Sequence, residues 1–118
     1  MGDTNLTWAV KTGDMEVVEN NLKTTEDVNR TLDNGRKPLH IACDFGQTCM
    51  VEFLVSKGAD INAIDKHGLS PLFYASLEGH VACVKFLLEK GADKHLQGPN
   101  GKTVIEMVSD DAIKALFK

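Results

Sequence analysis

Apolar residues in this chain recur in short clusters with helical spacing, separated by polar segments that contain glycine. Leu39 and Ala42 lie three residues apart, which places both on one face of a helix. Val51 and Phe53–Leu54 continue the pattern as a second amphipathic segment, and a glycine follows each segment. Glycine ends helices readily because it adopts positive φ without steric cost. The pattern therefore predicts pairs of short helices in which the chain reverses between the two members.

The whole pattern returns after 33 residues. Between residues 35–64 and 68–97, 12 of 30 positions are identical, whereas unrelated sequences share roughly two in a stretch of this length. We predict four units, of which the outer two are atypical because a terminal unit must cover the end of the stack. The units span residues 1–32, 33–65, 66–98 and 99–118 of a single domain, and the framework residues expected in the core are Leu39, Ala42, Val51, Leu54, Leu72, Ala75, Val84 and Leu87.

The segments KPLHIA (37–42) and SPLFYA (70–75), repeated with this period, resemble the ankyrin repeat, whose signature is T-P-L-H-x-A. Pro38 and Pro71 suit the first turn of a helix, where a missing N–H costs nothing. Ser70 suits the N-cap that precedes it. His40 occupies the histidine of the signature, where we expect a hydrogen-bonded structural role. The resemblance implies an all-α solenoid of four stacked helix–turn–helix units joined by hairpin-like turns.

Charge and composition narrow the classes of partner. The 118 residues carry a formal net charge of −4, whereas a nucleic-acid-binding surface needs an excess of basic residues. No apolar run approaches the ~20 residues that span a bilayer, and no apolar leader opens the chain. The three cysteines include no CxxC pair, so we expect reduced thiols. We therefore predict a monomeric cytosolic protein, with the nucleus as a second compartment, that binds neither nucleic acid nor membranes.

Candidate catalytic and metal chemistry is sparse. His40 with Cys43, and His80 with Cys83, are each spaced three residues apart on a predicted helix. Zinc needs three or four ligands, and no further ligand completes either pair, so we predict no metal or other cofactor. Cys43 and Cys49 occupy positions that the repeat assigns to packing. No group near them supplies an oxyanion hole, and we therefore predict that the chain is not an enzyme.

The remaining candidate is a protein-binding surface. In stacked repeats the turns and the exposed side of the inner helices form one concave face. Phe45, Ile64, Leu69 and Leu77 are apolar residues at positions predicted to be exposed, and grouped exposed apolar area is typical of a binding site. Trp8 shares the phase of largely buried positions, but we expect it to be exposed because it lies in the end unit. The predicted site comprises Trp8, Asp33, Arg36, Asp44, Phe45, Lys66, His67, Leu77 and Glu78.

Segments outside the generic repeat indicate a narrower resemblance. EDVNRTL (26–32), DKHG (65–68), EGHVACVK (78–85) and AIKAL (112–116) are similar to the myotrophin family of short ankyrin-repeat proteins. This resemblance implies a cytosolic inhibitor that sequesters the heterodimeric actin capping protein and so regulates growth of the filament barbed end. It also implies, as an alternative, an adaptor or regulator of Rel/NF-κB-type transcription factors. A scaffolding adaptor with a partner unrelated to actin is a further alternative.

Overall fold

Helices dominate the fold. A computed structural model of the chain describes residues 4–32 and 35–117, and its only bridge within these residues is an isolated antiparallel one between Gln97 and Thr103. The helices described are α1 (Thr4–Thr12), α2 (Met15–Asn21), α3 (Thr25–Val28), α4 (Pro38–Asp44), α5 (Thr48–Ser56), α6 (Pro71–Leu77), α7 (Val81–Glu89), α8 (Val104–Met107) and α9 (Asp111–Ala115).

The helices form a two-layered stack. The inner layer is α1, α4, α6 and α8, each of which packs on the next, and the outer layer is α2, α5, α7 and α9. Each inner helix is followed along the chain by its outer partner, and α1–α2, α4–α5 and α6–α7 are in contact. The molecule measures 39 × 24 × 21 Å because the stack grows in one direction. The predicted all-α solenoid of helix pairs is confirmed.

The core runs between the two layers. All eight framework residues predicted from the repeat are buried. Ala42 and Ala75 lie on inner helices α4 and α6, and the small side chains of both are fully buried. Gly46 and Gly79 follow α4 and α6 with φ of 68° and 75°, values that only glycine adopts readily. Positive φ thus permits the tight reversal that brings each outer helix back onto its inner partner.

Neighbouring pairs are also joined by a repeated hydrogen bond. The Asn29 side-chain oxygen accepts from the backbone N–H of Asp60 at 2.7 Å, and the Asn62 side-chain oxygen accepts from that of Asp93 at 2.8 Å. Donor and acceptor each advance by one period of 33 residues. The repeat therefore encodes contacts between units as well as the fold of each unit.

Four local features differ from the sequence-based expectation. Helix α3 was not predicted, and it forms because Thr24 and Asp27 bond to each other's backbone N–H as a capping box. Leu69 is only partly exposed and packs against the core. Cys49 is exposed, whereas Cys43 and Cys83 are buried. Ser70 does occupy the N-cap of α6, but its hydroxyl makes no capping bond.

Candidate protein-interaction surface

Several predicted site residues lie at the C-terminal ends of the inner helices. Asp44 is the last residue of α4, and Phe45 is its C-cap. Leu77 and Glu78 hold the corresponding places on α6. Phe45 is 45% exposed and Leu77 is 42% exposed. We call the surface formed by Trp8, Lys11, Asp44, Phe45, Leu77 and Glu78 the inner-helix surface.

Trp8 is the most exposed large apolar residue of the described chain, at 67%. It stands between two cavities, of about 490 Å³ on the side of Asp14 and Arg30 and about 300 Å³ on the side of Thr7 and Lys11. Ile41 and Tyr74 share its repeat phase, but both pack into the stack. The exposure of Trp8 was predicted, and its position in the first helix pair is the reason.

Lys11 lies near both Trp8 and Phe45. The Lys11 ammonium lies 5.4 Å from the centroid of the Phe45 ring, within the range of a cation–π interaction. Lys11 also lines the smaller cavity beside Trp8. One cationic side chain thus faces the Phe45 ring and shares a cavity with Trp8, which belongs to the preceding helix pair.

Arg36 forms an ion pair with Asp44, the residue that precedes Phe45. The guanidinium Nη1 of Arg36 donates to the carboxylate of Asp44 at 3.0 Å, and their side chains are 13% and 25% exposed. Arg36 also lies 5.4 Å from the centroid of the Tyr74 ring. The sequence predicts that Asp44 faces a partner, and the structure shows that its carboxylate also pairs with Arg36 within the fold. The two residues come from different parts of one helix–turn–helix unit, so their pairing could not be inferred from spacing.

A polar network adjoins this ion pair through Tyr74, whose ring the Arg36 guanidinium faces. The Tyr74 hydroxyl donates to the carboxylate of Asp65, which also accepts from the backbone N–H of His67 and Leu69. Burial and the neighbouring carboxylate both raise the pKa of Tyr74. Burial by itself raises the pKa of Asp65, but the bonds it accepts hold that pKa below its ordinary value. Sequence reasoning missed Asp65, although its position before a glycine turn was visible.

His40 contacts the same network through the edge of its ring. The ring is fully buried, its centroid lies 5.8 Å from that of Tyr74, and its Nε2 donates to the Ala63 carbonyl oxygen at 2.7 Å. The Lys37 backbone N–H donates to its Nδ1 at 3.1 Å. Burial lowers the pKa of His40 because the imidazolium is poorly solvated there. The predicted structural role of His40 is confirmed.

Two of the remaining predicted residues, Lys66 and His67, lie in a turn between units. Lys66 and His67 are both exposed. The backbone N–H of Lys66 donates to the carbonyl oxygen of Gly35 at 3.3 Å, which holds neighbouring turns together. Asp33 lies outside the described residues.

Within residues 4–32 and 35–117, no group of three His, Cys, Asp or Glu side chains is arranged to hold a metal ion. In the same part of the chain, no helix has the length and apolar character needed to cross a membrane. Burial raises the pKa of both Cys43 and Cys83, which opposes formation of the reactive thiolate.

Comparison with known proteins agrees with this architecture. The family model for ankyrin repeats in three copies matches residues 6–98. The chain is 64% identical to myotrophin of Xenopus tropicalis over 117 residues, covering 99% of each chain. It is 59% identical to myotrophin of Homo sapiens and 58% identical to that of Gallus gallus, each over 118 residues and the full length of both chains. The chain therefore belongs to the myotrophin family of ankyrin-repeat proteins, and its repeat fold is a protein-binding one.

Proposed function

We propose that this protein inhibits the heterodimeric actin capping protein by sequestering it, so that filament barbed ends continue to grow. Membership of the myotrophin family is the observation that carries the proposal, because inhibition of the capping protein is what that resemblance implies. The inner-helix surface is the part of the molecule that we assign to the partner. We expect the complex to act in the cytoplasm and the free protein to be a monomer.

The physical properties of the inner-helix surface support this assignment. Trp8, Phe45 and Leu77 expose apolar area from three successive helix pairs, and aromatic residues dominate the energetics of protein interfaces. The helices hold these side chains on a rigid frame, which reduces the entropy that binding costs. Glu78 adds negative charge beside them, and Asp44 adds a carboxylate whose charge Arg36 partly balances. A region of capping protein that approaches the acidic actin filament should be basic, so the charges are complementary.

Elongation of pyrene-labelled actin from filament seeds tests the proposal directly. Capping protein alone should stop barbed-end growth, and a stoichiometric amount of this protein should restore it. Glu89→Arg is the control variant, because Glu89 is an exposed residue at the end of outer helix α7 and lies outside the inner-helix surface. Barbed ends that stay capped at a large excess of the protein would contradict the proposal.

The family resemblance also implies Rel/NF-κB-type transcription factors as an alternative partner, which would place the protein in the nucleus. Isothermal titration with a Rel-homology region separates the two functions. We expect no binding there at concentrations that saturate capping protein. The opposite result would favour the transcription-factor partner, and binding to neither would favour an adaptor unrelated to both.

A further inference from the structure

Two junctions between neighbouring helix pairs are closed by the same kind of hydrogen bond. Gln47 Nε2 donates to the carbonyl oxygen of Lys11 at 2.8 Å, and His80 Nε2 donates to that of Asp44 at 3.0 Å. Gln47 and His80 are the N-cap residues of outer helices α5 and α7. The two acceptors lie at the C-terminal ends of inner helices, where carbonyl oxygens lack helical partners. A side-chain N–H from one pair thus satisfies a carbonyl oxygen of the preceding pair.

At the third junction, the N-cap residue of the outer helix carries a carboxylate instead of an N–H donor. The N-cap of α9 is Asp110, which follows His80 by thirty residues instead of thirty-three. A Cβ atom at Gly46 would lie 2.5 Å from the His80 ring, and a Cβ atom at Gly79 has Asp110 Oδ2 as its nearest neighbour, at 3.9 Å. An ionised carboxylate only accepts hydrogen bonds. Among the described residues, no donor reaches the carbonyl oxygen of Leu77, the counterpart of Lys11 and Asp44.

A cavity of about 280 Å³ opens at this junction, between the end of α6 and the connection from α8 to α9. Leu77, Glu78 and Asp110 all line it, so its polar wall is rich in acceptors. Ser76 also lines it, is 2% exposed and has a hydroxyl oxygen with no hydrogen-bond partner in the described chain. Met107 contributes apolar surface on the other side.

We propose that this cavity binds an arginine side chain of the protein partner. A guanidinium group presents five donors and no acceptor, so it complements a wall of carbonyl and carboxylate oxygens. The aliphatic stem of the same side chain would pack on Met107. The cavity adjoins Leu77 and Glu78 of the inner-helix surface, so a partner bound there reaches it. The inference rests on the proposed protein-binding function, because it names the chemistry of one contact.

Probe binding tests the cavity without any partner. The probe is N-acetyl-arginine methylamide, and the matched control is N-acetyl-citrulline methylamide, which has nearly the same shape without the charge. Backbone amide chemical shifts report millimolar binding, and we expect the arginine probe to move those of Ser76, Gly79 and Ser109. Absence of these shifts, or equal shifts from the citrulline probe, would overturn the proposal. Because no capping protein is present, this result is independent of the actin assay.

Two neighbouring variants test how much the Asp110 carboxylate contributes to binding of the arginine probe. Asp110→Asn keeps a good N-cap and removes the charge, so the arginine probe should bind about fivefold more weakly, the upper range for one partly exposed charge pair. Asp111→Asn removes the same charge one residue away, from a side chain that does not line the cavity. It should leave probe binding unchanged. Glu78→Gln provides a second test, because it removes another carboxylate that lines the cavity without touching the N-cap of α9. Equal effects of Asp110→Asn and Asp111→Asn would show that only net charge matters and would overturn the site.

Discussion

Reversing the charge of Asp44 should affect both the fold and the binding of the partner, and the structure allows the two effects to be separated. Asp44→Arg removes the carboxylate that accepts from Arg36 at 3.0 Å and places two guanidinium groups side by side. A fully exposed ion pair contributes up to ~1 kcal/mol, and breaking a buried one costs ~3–5 kcal/mol. At 13% and 25% exposure the pair lies between these limits. We expect a loss of about 1–2 kcal/mol.

For a chain of 118 residues, that loss corresponds to a decrease of about 4–8 °C in Tm. The double variant Arg36→Asp/Asp44→Arg restores an ion pair of opposite polarity, and it should recover more than half of the lost stability. Thermal unfolding followed by circular dichroism measures both values. This comparison shows how much of the loss of stability in Asp44→Arg is due to loss of the ion pair with Arg36.

Binding to capping protein should not recover in the same way. Losing a desolvated charge contact at an interface costs about 2 kcal/mol or more, which raises Kd about thirtyfold. Both Asp44→Arg and the double variant should show this weakening by isothermal titration, because each presents a positive charge where the partner meets a negative one. Glu89→Arg should bind like the wild type. Normal affinity of the double variant would refute the reasoning, since Asp44 would then serve only the fold.

Four further outcomes are expected, and the first three follow from burial. Leu72→Ala should lower the free energy of unfolding by ~2–5 kcal/mol in urea, since Leu72 is buried in the core; a loss below ~1 kcal/mol would show that the repeat frame is misplaced. The pKa of His40 lies below its ordinary value of 6.5, so the unfolded chain binds more protons and stability should fall as the pH drops below that value. His40→Gln should flatten this dependence in denaturation series at pH ~7.5 and ~5.5, and an unchanged slope would assign it to other groups. Cys49 should react rapidly with a thiol reagent in the native state while Cys43 and Cys83 stay protected; equal rates would indicate that the stack opens easily. EDTA should leave Tm unchanged, and a loss of fold would reveal a metal.

The helix pairs and their core could be predicted from the sequence because each unit contacts mainly its neighbours. A period of 33 residues places Leu39 and Leu72 in equivalent surroundings, so a single pattern predicts the burial of both. The exposure of Phe45 follows from the same frame, whereas that of Trp8 follows from its place in the end unit. The candidate surface was therefore visible as a set of positions where the repeat does not require apolar residues. Its role in binding stays a prediction.

Only the tertiary structure determines which of these side chains contact one another and which are exposed. Arg36 and Asp44 pair across a helix–turn–helix unit, so side-chain direction rather than spacing determines that contact. Cys49 is exposed although it lies on a helix with a buried face, because the rotation of α5 against its neighbours sets which side is covered. Asp110 takes the place of a hydrogen-bond donor only because the last pair is three residues shorter than the frame. Local periodicity determines which residues can be buried, and packing between units determines which polar groups find partners.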